Sequence, residues 1–97
     1  MTTLVSSGLN DPKKFDVSDD GNWLYVADNG SHRVLKVSTS TGSVTTLAGS
    51  GTYGYVEGTG TGAKFMNVWG VAVDGNTLYV SDHDLWLTDR VRKVNLT

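Results

Sequence analysis

The chain is built on an internal repeat, and a repeat limits the fold more than any local propensity does. Leu9-Asn10-Asp11-Pro12-Lys13-Lys14-Phe15-Asp16-Val17 aligns with Phe65-Met66-Asn67-Val68-Trp69-Gly70-Val71-Ala72-Val73. Gly21-Asn22-Trp23-Leu24-Tyr25-Val26-Ala27-Asp28 aligns with Gly75-Asn76-Thr77-Leu78-Tyr79-Val80-Ser81-Asp82. Arg33-Val34-Leu35-Lys36-Val37 then matches Arg90-Val91-Arg92-Lys93-Val94. A last pair joins the N-terminus to the middle of the chain, Thr2-Thr3-Leu4-Val5-Ser6-Ser7-Gly8 against Thr45-Thr46-Leu47-Ala48-Gly49-Ser50-Gly51. Each repeat unit therefore holds four short runs rich in Val, Leu, Tyr and Thr, residues that suit a pleated, packed surface. Turn residues bound these runs, as in Asp19-Asp20-Gly21-Asn22, Ser40-Thr41-Gly42-Ser43 and Asp74-Gly75-Asn76. No stretch carries a 3.6-residue apolar period, so no helix of any length is expected.

The middle runs choose among all-β architectures. In Leu24-Tyr25-Val26-Ala27 successive side chains point to opposite faces, and both faces are apolar; Leu78-Tyr79-Val80-Ser81 is the same apart from the small Ser81. A strand apolar on both sides is covered on both sides. Repeated four-stranded antiparallel sheets, each packed between neighbours, are the blades of a β-propeller. The fold class expected is all-β, with two blades per chain. The units run as an outer strand at 1–8, a first blade at 9–51, a linker loop at 52–64, and a second blade at 65–97 without an outer strand of its own.

These residues resemble the NHL repeat. The resemblance lies in Gly70-Val71-Ala72-Val73-Asp74, in Leu78-Tyr79-Val80-Ser81-Asp82, and in the turn Ala27-Asp28-Asn29-Gly30-Ser31-His32-Arg33-Val34. Thr46-Leu47-Ala48-Gly49-Ser50-Gly51, leading on to Ala63-Lys64-Phe65, is similar to the linkers between such repeats. There are two departures. Lys13-Lys14-Phe15-Asp16 stands where the family prefers a glycine and small apolar residues, and His83-Asp84-Leu85-Trp86-Leu87-Thr88-Asp89 expands the second turn and lacks its Asn-His pair.

The resemblance implies blades built from an inner strand a to an outer strand d. On that order the chain opens with a d strand at Thr2–Val5, runs a, b, c, d, and closes with a, b, c. Two blades leave apolar faces and strand edges open, and such surfaces associate. The expected partner is the chain itself, in a cyclic homo-oligomer where each N-terminal strand completes a neighbour's last blade. Family rings of six blades imply a trimer; a tetramer would give eight blades, within the propeller range of roughly 4–8.

A non-enzymatic scaffold or interaction module is the function expected. With 97 residues the chain is one small unit whose core is marginal. Its net charge of −2 and pI of about 5.4 argue against nucleic acid, whose binding rests on basic phosphate contacts. It has no cysteine, hence neither disulfides nor thiolate chemistry. No apolar run approaches the roughly 20 residues of a membrane span. No catalytic triad or carboxylate pair is legible, and neither a metal nor a cofactor is expected. Asp82, His83, Asp84 and Asp89 cluster locally, but adjacent side chains diverge, so turn hydrogen bonding accounts for them better than metal ligation.

The alternative function is a carbohydrate- or peptide-binding propeller that uses the face carrying the long loop and the expanded turn, since loops on a rigid scaffold often carry function. Its candidate residues are Tyr53, Tyr55, Trp69, His83, Asp84 and Trp86, where exposed aromatics stack on sugars or anchor peptides. The competing role for Tyr53, Tyr55, Trp69 and Trp86 is packing over blade ends.

Overall fold

A computed structural model describes residues 1–49, 67–83 and 89–96 of the chain. The strands are β1 (Pro12–Val17), β2 (Trp23–Asp28), β3 (Arg33–Ser38), β4 (Val44–Ala48), β5 (Val68–Asp74), β6 (Thr77–His83) and β7 (Asp89–Asn95). One 3₁₀ turn, Asn29–Ser31, is the only helical element among the described residues. The strands form two antiparallel meanders, a four-stranded sheet ordered β1-β2-β3-β4 and a three-stranded sheet ordered β5-β6-β7. Asp20 shows how a connecting turn is set: the Ser18 hydroxyl donates to it at 2.6 Å and the Asn22 N–H at 2.9 Å. These two bonds hold its carboxyl below the ordinary carboxylate range.

Equivalent strands pair in equivalent register. Leu24↔Val37, Tyr25↔Lys36 and Val26↔Leu35 in the first sheet match Leu78↔Val94, Tyr79↔Lys93 and Val80↔Arg92 in the second. Both inner strands carry an irregularity at the same place, between Pro12 and Phe15 and between Val68 and Val71. The structure thus reproduces the sequence repeat residue by residue.

Each sheet has a front and a back set by strand alternation. The front of the first sheet presents Tyr25, Ala27, Val34 and Ala48, and it packs on the back of the second through Val68, Leu78 and Val80. Leu78, Val80, Val34 and Val68 are fully excluded from solvent. Each such side chain contributes about 1.5–3 kcal/mol on burial. The inner strands lie side by side, tied by Asp16, whose carboxylate accepts the Val73 N–H at 2.9 Å. Asn29 adds a second tie, donating from Nδ2 to the Val68 carbonyl at 3.0 Å.

The back of the first sheet holds a second cluster, Val26, Leu35 and Val37, covered by Val5, Leu9, Leu24 and Val44. β2 is therefore buried on both faces, as its sequence requires. β6 is buried only on its back: Leu78 and Val80 are enclosed while Tyr79 is exposed.

Thr2–Val5, expected as a strand beside a neighbouring chain, forms none within the chain itself. A strand needs a hydrogen-bonded neighbour, and the edge expected for this one belongs to another chain; here the segment lies over the first sheet. Its Leu4 carbonyl closes on Gly42, whose φ of +78° suits glycine and leaves no room for a β-carbon. The expanded turn of the second repeat is also shorter than expected. β6 continues through His83 and β7 starts at Asp89, with His83 and Asp89 paired across the ladder.

Candidate functional site

The end of each b strand is fixed by a buried aspartate. In the first sheet Asp28 is 1% exposed and accepts the Asn10 N–H at 2.8 Å and the Ser31 hydroxyl at 2.6 Å. The carboxylate thus joins the segment entering β1 to the turn leaving β2. His32 closes that turn in the left-handed conformation, at a φ of 55°, and its N–H reaches the Asn29 carbonyl at 3.3 Å. In the second sheet Asp82 plays the same part, accepting the Asn67 N–H at 3.0 Å. The partners of Asp28 are thus the lead-in to β1 and a serine hydroxyl of the turn.

The second sheet then diverges. Arg92 stands where the first repeat has Leu35, and its Nη1 lies 3.2 Å from Asp82 Oδ2. Arg90 adds a longer contact at 4.0 Å. Both Asp82 and Arg92 are buried, so this is a buried ion pair within the second sheet, between β6 and β7. Sequence reading missed it. The available signal was a cation replacing an apolar residue opposite a buried carboxylate.

Of the candidate binding residues, Trp69 and His83 come together. They line a cleft of about 390 Å³ with Ser81, Asp82 and Arg90. Trp69 is half exposed, and the Lys13 ammonium sits 4.8 Å over its ring. Lys13 also meets Asp11 at 3.2 Å. Trp69 thus bridges the two inner strands, which accords with a packing role. His83 is an exposed strand residue on the front of the second sheet. Tyr53, Tyr55, Asp84 and Trp86 lie outside the described residues. Among the described residues no group of three or more His, Asp or Glu is placed to hold a metal.

A second groove, of about 320 Å³, opens at the opposite end between the sheets, beside Asp19, Asp20, Trp23, Tyr25, Lys36 and Asn76. The Lys36 ammonium stacks 4.0 Å over the Trp23 ring. Burial, with Asp20 adding to it, pushes the Tyr25 phenol up. Sequence reading placed the site at the long-loop end and did not find this groove, whose parts are scattered along the chain.

Other exposed apolar residues lie outside both grooves. Phe15 and Val17 are 66% and 46% exposed on the back of the first sheet. Tyr79 and Val91 are 38% and 72% exposed on the front of the second. The repeat equivalents of Phe15 and Val17 are Val71 and Val73, which pack against the inter-sheet core. The equivalents of Tyr79 and Val91 are Tyr25 and Val34, which form it. Each outer side thus exposes two apolar residues whose repeat equivalents lie in or against the contact between the sheets. Such apolar faces are interaction surfaces rather than ordinary exteriors.

No family model matches the chain. It is 34% identical over 94 residues, 97% of its length, to NHL repeat-containing protein 2 of Gallus gallus, and it spans 12% of that protein. The chain is therefore similar, across nearly all of its length, to a small part of an NHL repeat-containing protein.

Proposed function

We propose that this chain is a two-blade NHL-type propeller unit, a non-enzymatic scaffold or interaction module that joins further copies of itself head to tail into a closed ring. Three copies would supply six blades. One observation supports the reading: the contact between the sheets is front to back, and the exposed residues of the two outer sides, Phe15 and Val17 on the back of the first sheet and Tyr79 and Val91 on the front of the second, are repeat equivalents of residues in that contact. A front-to-back contact is heterologous, so it propagates until rotation closes it. The likeness to an NHL repeat-containing protein supports the module type. Of the residues behind the glycan or peptide reading, Tyr53, Tyr55, Asp84 and Trp86 lie outside the described residues, and Trp69 is engaged by Lys13.

Val91→Asp tests this reading, because Val91 is 72% exposed and its replacement leaves the core of a single chain intact. Light scattering is expected to show the unmodified chain as a discrete multiple of 10.4 kDa. The variant is expected to run as one chain with an unchanged β circular dichroism spectrum. A variant that assembles like the parent would contradict the proposal.

A further inference from the structure

The groove beside Asp19, Asp20, Trp23, Tyr25, Lys36 and Asn76 takes no part in the proposed contact between copies, since Phe15, Val17, Tyr79 and Val91 lie outside it. We infer that this groove binds a small zwitterion of the α-amino-acid class, with the ligand ammonium against Asp19 and Asp20 and the ligand carboxylate against Lys36 and the Tyr25 hydroxyl. At about 320 Å³ it falls at the low end of the roughly 300–1,000 Å³ that small-molecule sites span. All of its residues come from one chain, so the site does not depend on assembly.

Tyr25 is the residue that points to a ligand. It packs in the cluster between the sheets and is 5% exposed, yet it lines the groove. Its hydroxyl makes no hydrogen bond with any described residue. A polar group so enclosed normally has a partner. Burial and the Asp20 charge both keep the phenol protonated, so it offers a donor.

The fold sets the charges around it in place. The Ser18 hydroxyl and the Asn22 N–H both donate to Asp20 Oδ1, which leaves Oδ2 outside these two bonds. Lys36 is the cross-strand partner of Tyr25, and the Trp23 ring under its ammonium gives it a platform. The second repeat has Thr77 in place of Trp23, so this platform belongs to the first sheet alone. Among the described residues no ion pair joins Lys36 to Asp19 or Asp20. One groove therefore presents both signs of charge from separate places. A lone anion would meet two carboxylates there, and a lone cation would meet the Lys36 ammonium. A zwitterion sets each of its charges opposite the unlike one, and charge-assisted hydrogen bonds are the strong ones.

The test is an amide-resolved NMR titration of the full chain at low salt with L-alanine, beside methylammonium, acetate and glucose. The expected result is saturable shifts at the amides of Ser18 to Trp23, Lys36 and Asn76, with L-alanine alone. Tyr25→Phe keeps the ring and removes only the hydroxyl. Asp19→Asn changes an exposed turn residue, and it decides the matter should the first variant lose the fold. Each variant is expected to weaken L-alanine binding about tenfold, the loss of one charge-assisted bond, with the other amides undisturbed. Shifts that rise with L-alanine without saturating overturn the inference. Equal binding of methylammonium or acetate overturns it too, since one charge would then suffice. Equal binding of glucose makes the groove a site for a neutral hydroxylated ring instead. Parental binding by the folded variants shows that these groups do not hold the ligand, and it also overturns the inference.

Discussion

Replacing Arg92 with methionine is expected to cost the fold about 3 kcal/mol. Removing one partner of a buried pair leaves a buried charge, and Asp82 has no route to solvent at 1% exposure. The loss falls at the lower end of the usual range because Arg90 remains at 4.0 Å and the Asn67 N–H still donates to the carboxylate. For a small domain of about 5–15 kcal/mol total stability, that is a large fraction. Urea unfolding should show it as a lower midpoint at unchanged slope. The double variant Arg92→Leu, Asp82→Asn should recover most of the loss, since it removes the buried charge and the first sheet buries Leu35 at the equivalent place. A single variant as stable as the parent would show that the ion pair does not stabilise the second sheet.

Leu78→Ala is expected to cost about 3 kcal/mol by a different route, through lost burial and the cavity left behind. Leu78 is fully buried at the centre of the contact between the sheets, alongside Val80 and Val68. Strands on both sides restrain the backbone, which limits collapse around the void. Lys93→Ala on the exposed front of the same sheet should change stability by less than about 0.5 kcal/mol. Unfolding of the two variants at matched protein concentration checks this, because assembly makes apparent stability depend on concentration. Equal losses would mean that the sheet is not packed on the side described.

Much of the fold is legible in the sequence, because the repeat and strand alternation report the same thing. Leu24-Tyr25-Val26-Ala27 reads as buried on both faces and is. The turn chemistry of Asp20-Gly21-Asn22 places a tight hairpin where one occurs. The misses have physical causes. Thr2–Val5 has strand composition, yet a strand exists only beside a partner, and composition does not say in which chain that partner lies. His83 and Asp89 read as turn residues because a polar pair carries no apolar signal; only the pairing reveals them as strand. The Asp82–Arg92 pair is hidden because a cation in an alternating pattern reads as solvated. Of the candidate site, Trp69 and His83 are brought to one cleft, but the apolar areas that stand out are Phe15, Val17, Tyr79 and Val91. Their significance appears only when each is compared with its buried counterpart in the other repeat.

If the two sheets carry complementary outer sides that join copy to copy, native mass spectrometry of the unmodified chain at micromolar concentration will detect the assembly. The expected result is one closed species at three times the 10.4 kDa chain mass, with no higher ladder. A single-chain mass that persists across concentrations would contradict it.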